Sequence, residues 1–172
     1  AVAIADVTGD GSPDMVVTNN DDRTIRVYAG NGLGGFTAGQ MISTPGVRPE
    51  GIAAADFDGD GDMDIAASVD TFLDIYRNDA GTLANAARLP VGSIDPSAVY
   101  VGDFAPGGAG PDVVTVNNDG GSISVFENLG GLTFGGAQVL TTGLAPDFAA
   151  VADLDGNGSD DIAVTNRDSN TT

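Results

Sequence analysis

Short runs in which apolar and polar residues alternate recur along the chain, each bounded by glycine, asparagine or aspartate. The clearest place Ile25 and Val27, Leu73 and Ile75, and Ile123 and Val125 two apart, each pair followed by an aromatic: Tyr28, Tyr76 and Phe126. A period of two over about five residues predicts a β-strand. Ahead of these runs stand other β-type segments that exit through Asn or Ser: Met15-Val-Val-Thr-Asn19, Ile65-Ala-Ala-Ser68, Val113-Val-Thr-Val-Asn117 and, later, Ile162-Ala-Val-Thr-Asn166. Phe36–Ser43, Leu83–Val91 and Phe134–Thr141 supply a weaker outer strand. The Ala- and Gly-rich segments Gly51–Ala55, Ala98–Gly102 and Phe148–Ala152 supply a first one. The only other Ala-rich stretch, Leu83–Arg88, is too short for a helix and falls at an outer-strand position, so an all-β chain is expected.

The strands belong to a longer repeat. Asp6, Asp56, Asp103 and Asp153 are spaced 50, 47 and 50 residues apart, and Pro49, Pro96 and Pro146 stand seven residues before the last three. Four short antiparallel strands in about 48 residues is the pattern of a β-propeller blade, whose first strand lines the central channel and whose fourth lies on the rim. The expected division is residues 1–50, 51–97 and 98–147 for three blades and 148–172 for the inner half of a fourth, as part of a larger propeller or repeat assembly.

A nine-residue acidic loop is used three times: Asp6-Val-Thr-Gly-Asp-Gly-Ser-Pro-Asp14, Asp56-Phe-Asp-Gly-Asp-Gly-Asp-Met-Asp64 and Asp153-Leu-Asp-Gly-Asn-Gly-Ser-Asp-Asp161. Oxygen-bearing side chains at loop positions 1, 3, 5 and 9 can converge only if the chain curls tightly, and glycines at positions 4 and 6 permit the curl by tolerating positive φ. The chain has no Cys and no His, so thiolate and imidazole coordination are excluded, and an all-oxygen shell selects a hard cation such as calcium. An EF-hand opens with similar spacing but needs a bidentate Glu at position 12 and flanking helices. Position 12 here is Val17, Ala67 or Val164, and β-type runs flank the loops.

These repeats resemble the FG-GAP or VCBS repeats of integrin α-subunit propellers and of secreted bacterial propellers, and Phe134-Gly-Gly-Ala137 carries the elements that name the family. The resemblance implies calcium loops between the first and second strands of a blade. Its ligand roles fall on Asp6, Thr8, Asp10, the carbonyl of Ser12 and Asp14; on Asp56, Asp58, Asp60, the carbonyl of Asp62 and Asp64; and on Asp153, Asp155, Asn157, the carbonyl of Ser159 and Asp161. Three calcium ions per chain are expected, with the first site weaker than the second because Thr8 replaces a carboxylate. Asp103-Phe-Ala-Pro-Gly-Gly-Ala-Gly-Pro-Asp112 is one residue longer and lacks oxygens at Ala105 and Gly107, so it is expected to hold no ion.

With 25 acidic residues, 6 Arg and no Lys, the formal charge is −19. That balance excludes a nucleic-acid binder and argues against adsorption to anionic lipid. Without metal, the four carboxylates of the second loop should repel one another, coupling ion binding to folding. Loops of this kind fill at extracellular calcium levels, which predicts a secreted or cell-surface setting. No run is long enough to span a bilayer as a helix, and the chain opens on Ala1 without a Met, a basic segment or an apolar targeting region, so any signal peptide is expected to have been removed or to lie upstream.

The acids outside the loops (Asp21, Asp22, Asp70, Asp74, Asp95, Asp119 and Asp147) are read as mostly solvated turn residues. Tyr28, Tyr76 and Phe126 are read as core. Tyr100, where neighbouring repeats have Ala53 and Ala150, is expected to fill space beside the third loop, with a channel-lining role as the alternative. Asn170-Thr-Thr172 and Asn157-Gly-Ser159 match the N-glycosylation pattern, although the metal loop requires the Asn157 side chain. Lacking the usual nucleophile and base combinations, the chain is expected to be a non-catalytic module for adhesion or for recognition of a glycan or protein on a cell surface or matrix. A structural subunit of an extracellular filament or surface layer is the alternative, and a propeller fragment of a carbohydrate-active enzyme the third reading.

Overall fold

The structure, a computed structural model, describes residues 1–44, 47–105 and 107–169; the Asn170 sequon lies outside them. All regular structure among these residues is β. Strands β1 (Val2–Ala5), β2 (Asp14–Asn19), β3 (Thr24–Gly30) and β4 (Phe36–Ser43) form one antiparallel sheet in sequential order. Strands β5 (Pro49–Ala55), β6 (Asp64–Val69), β7 (Phe72–Asp79) and β8 (Thr82–Pro90) form the second. In the third, β9 (Pro96–Gly102), β10 (Asp112–Asn117), β11 (Ser122–Phe126) and β14 (Gln138–Thr141) lie side by side, while β12 (Asn128–Gly130) and β13 (Thr133–Phe134) make a separate hairpin. Strands β15 (Pro146–Ala152) and β16 (Asp161–Asn166) pair alone. These are β-propeller blades.

Proline sets the first-strand boundaries. Pro49, Pro96 and Pro146 open β5, β9 and β15, the strand position where a missing N–H costs least. The expected outer strand Phe134–Thr141 is not continuous. It breaks at Gly135-Gly136, where no side chain holds the pleat, and only Gln138–Thr141 pairs with β11. Phe134 turns inward instead and meets Phe57 edge-to-face, with ring centroids 5.7 Å apart.

Successive sheets pack face to face around three apolar cores. Val16, Ile25 and Val27 meet Ile52, Ile65 and Tyr76; Phe57, Leu73 and Ile75 meet Val99, Val113 and Phe126; Val114, Val116 and Ile123 meet Ala149, Val151, Ile162 and Val164. Every residue of β6 and β10 is buried, because both faces of the two middle sheets are covered. Fully burying each large aliphatic side chain contributes about 1.5–3 kcal/mol. Two sheet faces stay open: Val2 and Ile4 on β1 are 55% and 60% exposed, and Phe148 on β15 is 66% exposed. Tyr76 and Phe126 are buried, as expected for core aromatics, whereas Tyr28 on the open face of the first sheet is only half-buried. Tyr100 fills the interface between the third and fourth sheets, and its hydroxyl oxygen accepts the Ala149 N–H at 3.2 Å.

Candidate metal centres

The three acidic loops join first strand to second strand and share one internal bonding scheme. The position-1 aspartate accepts the N–H of the glycine at position 4 on Oδ1 (Gly9 2.9 Å, Gly59 2.8 Å, Gly156 2.8 Å) and that of the glycine at position 6 on Oδ2 (Gly11 2.7 Å, Gly61 3.0 Å, Gly158 3.0 Å). Both glycines have positive φ in every copy, 72° and 85° in the first, 80° and 97° in the second, 78° and 92° in the last. Position 5 accepts the N–H of position 7 in each: Ser12 to Asp10, Asp62 to Asp60, Ser159 to Asn157. The sequence specifies one local conformation three times because Asp closes the ring and Gly supplies the turn.

Among the described residues, two groups of three carboxylates have ligand atoms all within 4.8 Å of one another: Asp56, Asp58 and Asp64, and Asp153, Asp155 and Asp161. Either could hold a metal ion. In the first loop the position-3 hydroxyl, Thr8 Oγ1, is buried with no hydrogen-bond partner, although buried polar atoms ordinarily find one. An oxygen left open at a ligand position and an all-oxygen donor set both fit a hard cation. Ser12, Asp62 and Ser159 are expected to act through their carbonyls; Asp62 also uses its side chain, whose Oδ2 accepts the Ala80 N–H at 2.9 Å and ties the β7–β8 turn to the loop.

Position 9 also has a structural role. Asp14, Asp64 and Asp112 are buried, and each joins its loop to the chain at the end of the third strand or just beyond it: Asp64 accepts Phe57 N–H at 3.0 Å and Asn78 N–H at 2.7 Å. Burial raises the Asp64 carboxyl pKa above its usual range, against the pull of those two donors, with Asp58 and Asp60 adding to the rise. Asp112 makes the same clamp to Phe104 and Asn128 in the longer third loop, which has no side-chain oxygen at Ala105 or Gly107. That longer loop is closed differently at its start, where Asp160 of the last loop donates its N–H to the Asp103 carbonyl at 2.7 Å and accepts the Asp103 N–H at 2.8 Å.

Several contributors escaped the sequence reading. Asn78 Nδ2 donates both to Val7 O (2.8 Å), in the loop of the preceding blade, and to Met63 O (3.0 Å), in its own. Asn128 does the same for Phe57 O and Pro111 O, so adjacent loops are latched across the blade interface. The signal was an Asn two residues beyond each of Tyr76 and Phe126. Arg77 pairs through Nε with Asp58 Oδ2 at 3.1 Å and through Nη2 with Asp60 Oδ2 at 3.2 Å. The second loop is therefore not a set of unpaired carboxylates, a correction to the expected charge crowding. The Asp62 N–H and then Arg77 hold the Asp60 carboxyl below its ordinary range.

Asp74 is also corrected. It lies on β7, 2% exposed, not in a solvated turn, and Arg88 grips it bidentately at 2.7 and 2.8 Å. Asp70, Asp95 and Asp119 line a cleft of about 420 Å³, together with Arg23, Arg48, Glu50, Thr71 and Ile94. Strand alternation puts this cleft at the opposite blade ends from the acidic loops. Arg23, Asp70 and Asp95 hold positive φ there (55°, 61° and 54°), a conformation that non-glycine residues adopt at a cost.

The sequence model of the FG-GAP-like repeat matches residues 6–67, from the first acidic loop through the second and into β6. That segment is similar to the FG-GAP-like repeat. No curated protein sequence matches the chain. Among solved structures, an Agrocybe aegerita lectin that recognises non-reducing terminal N-acetylglucosamine superimposes with a TM-score of 0.61 at 24% identity, over 95% of this chain and 46% of the lectin. The chain thus spans about half of the lectin's length. The Pseudomonas aeruginosa periplasmic gluconolactonase PpgL gives 0.60 at 21% over 80% of this chain and 39% of that one. The Photorhabdus luminescens Tc holotoxin pore gives 0.55 at 23% over 95% of this chain and 8% of that one. These likenesses carry the propeller fold.

Proposed function

We propose that the chain is a calcium-binding, non-catalytic extracellular module that recognises a glycan or protein. Three ions, one in each of the Asp6, Asp56 and Asp153 loops, would brace one end of the blades. The observation that carries this reading is the repeated convergence of oxygens at positions 1, 3 and 9, with the orphaned Thr8 hydroxyl standing where the other two loops place a carboxylate. Calcium suits the donor set because it accepts six to eight oxygens in flexible geometry.

Ligand recognition is assigned to the opposite end. The cleft between the turns offers guanidinium donors from Arg23 and Arg48 and carboxylate acceptors from Asp70, Asp95 and Asp119. Sugar hydroxyls donate and accept at once and can bridge such groups. The likeness to a lectin favours a glycan ligand, and the −19 charge disfavours nucleic acid. No helix among the described residues is long and apolar enough to cross a membrane. The lactonase likeness favours a propeller fragment of an enzyme as a minority reading, but the chain has no His, Cys or Lys for the usual base and nucleophile roles. The open apolar faces at Val2/Ile4 and Phe148 favour a self-assembling structural subunit as the second reading. A glycan array probed with and without calcium tests the proposal. Binding to a defined sugar class that is lost in Arg23→Ala and Arg48→Ala supports it, and no glycan or matrix-protein binding in calcium refutes the recognition role.

A further inference from the structure

The second loop is the most acidic of the three, with Asp at positions 1, 3, 5, 7 and 9, and among the described residues it alone has an arginine laid across it. The register shows how that pairing is placed. Met15 pairs with Tyr28, Ile65 with Tyr76 and Val113 with Phe126, so the residue after each aromatic occupies one equivalent register position at the end of the third strand or one residue past it. It reads Ala29, Arg77 and Glu127 in the three sheets. The basic residue falls beside the five-aspartate loop, and the acidic one beside the loop that keeps only Asp103 and Asp112. Local charge thus follows the loop's acid count.

The contacts give Arg77 a position relative to an incoming cation. Asp58 belongs to the converging group, and its Oδ2 is 3.1 Å from Arg77 Nε. Asp60, the position-5 ligand of the proposed site, is not in that group; its Oδ2 is bonded to Arg77 Nη2 at 3.2 Å while its Oδ1 accepts the Asp62 N–H. A guanidinium carries donors only and one fixed positive charge, so it satisfies the same two carboxylates that a divalent ion would draw inward.

We propose that Arg77 is the internal counter-ion of the second loop, keeping it closed without metal and lowering its calcium affinity by competing for Asp58 and Asp60. The inference rests on the calcium reading. Among the described residues, the clustered carboxylates of the last loop make no ion pair with an arginine, so that loop provides an unopposed reference within the same molecule. Calcium at the second loop is then partly an exchange of one cation for another, and the competition weakens as salt screens the half-exposed guanidinium.

The test is a calcium titration of the whole chain followed by the amide NMR signals of Gly59 and Gly61, with Gly156 and Gly158 as the reference loop. Arg77→Met keeps an apolar stem and removes the charge. It should tighten calcium binding at Gly59 and Gly61 by about two- to fivefold, the range for exposed ion pairs. Binding at Gly156 and Gly158 should not change, and the melting temperature in chelator should fall. Arg77→Lys should lie between wild type and Arg77→Met. If affinity at the second loop is unchanged or weaker in Arg77→Met, Arg77 is a bystander or an outer support for the bound ion, and the proposal is wrong. If Gly59 and Gly61 do not respond to calcium in the wild type while Gly156 and Gly158 do, the counter-ion has no ion to oppose and the proposal also fails. If neither loop responds, the calcium reading itself fails.

Discussion

Replacing Asp112 separates the scaffold role of the position-9 aspartate from any metal role, because its loop lacks the other ligand oxygens. Asp112 is 1% exposed and accepts the N–H of Phe104 at 3.0 Å and of Asn128 at 2.7 Å. Asp112→Ala leaves both donors without a partner, the second of them buried. A hydrogen bond to a charged group contributes about 1.5–3 kcal/mol and an orphaned buried donor costs about 1–3 kcal/mol. Since the Phe104 donor is only partly buried, a total loss of about 3–5 kcal/mol is expected. For a domain of this size that lowers the melting temperature by roughly 6–20 °C. Asp112→Asn retains one acceptor oxygen and should lose about half as much. Urea unfolding followed by circular dichroism, in calcium and in chelator, measures both. The loss should be the same in the two conditions. A change in Asp112→Ala below about 0.5 kcal/mol, the usual effect of a surface substitution, would refute the clamp. A loss present only in calcium would show that this loop binds an ion after all.

Arg88→Ala strands the buried Asp74 carboxylate; with Arg88 itself 45% exposed, the full penalty for breaking a buried pair is discounted to about 1–3 kcal/mol, readable in the same unfolding assay. The Tyr76 hydroxyl is pushed far above its ordinary pKa, first by burial and then by the neighbouring Asp74. Its contribution to stability is therefore fully present below the unfolded tyrosine pKa of about 10 and lost as pH rises beyond it. Absorbance titration should show the Tyr76 phenol ionising only with alkaline unfolding, and ionisation within the folded state would contradict its burial. Phe148→Asp on the open face of β15 should reduce self-association in light scattering; equal association in the variant would show that this face is not the contact.

The loops and the repeat were legible because both are written in local chemistry. Asp6, Asp56 and Asp153 each close a ring onto two glycines, and Pro49, Pro96 and Pro146 each open a first strand, so spacing alone carried the architecture. Contacts between segments distant in sequence were not legible. Nothing local distinguishes Asp74 from a solvated aspartate until β7 is packed and Arg88 reaches it from β8. Nothing local marks Arg77 as a partner of the second loop, because Asp58 and Asp60 lie 17 to 19 positions away. Asn78 and Asn128 act across a blade interface, at loop carbonyls 71 residues distant. The run Phe134–Thr141 looked continuous by alternation, but the two glycines within it released Phe134 to pack on Phe57.

The central claim is that the acidic loops are calcium sites. It is tested most directly by crystallising the chain with calcium and recording anomalous scattering. The account predicts three peaks per chain, within the Asp6–Asp14, Asp56–Asp64 and Asp153–Asp161 loops, and none in the Asp103–Asp112 loop. Absence of a peak at the Asp56–Asp64 loop in saturating calcium, or a peak inside the Asp103–Asp112 loop, would contradict it.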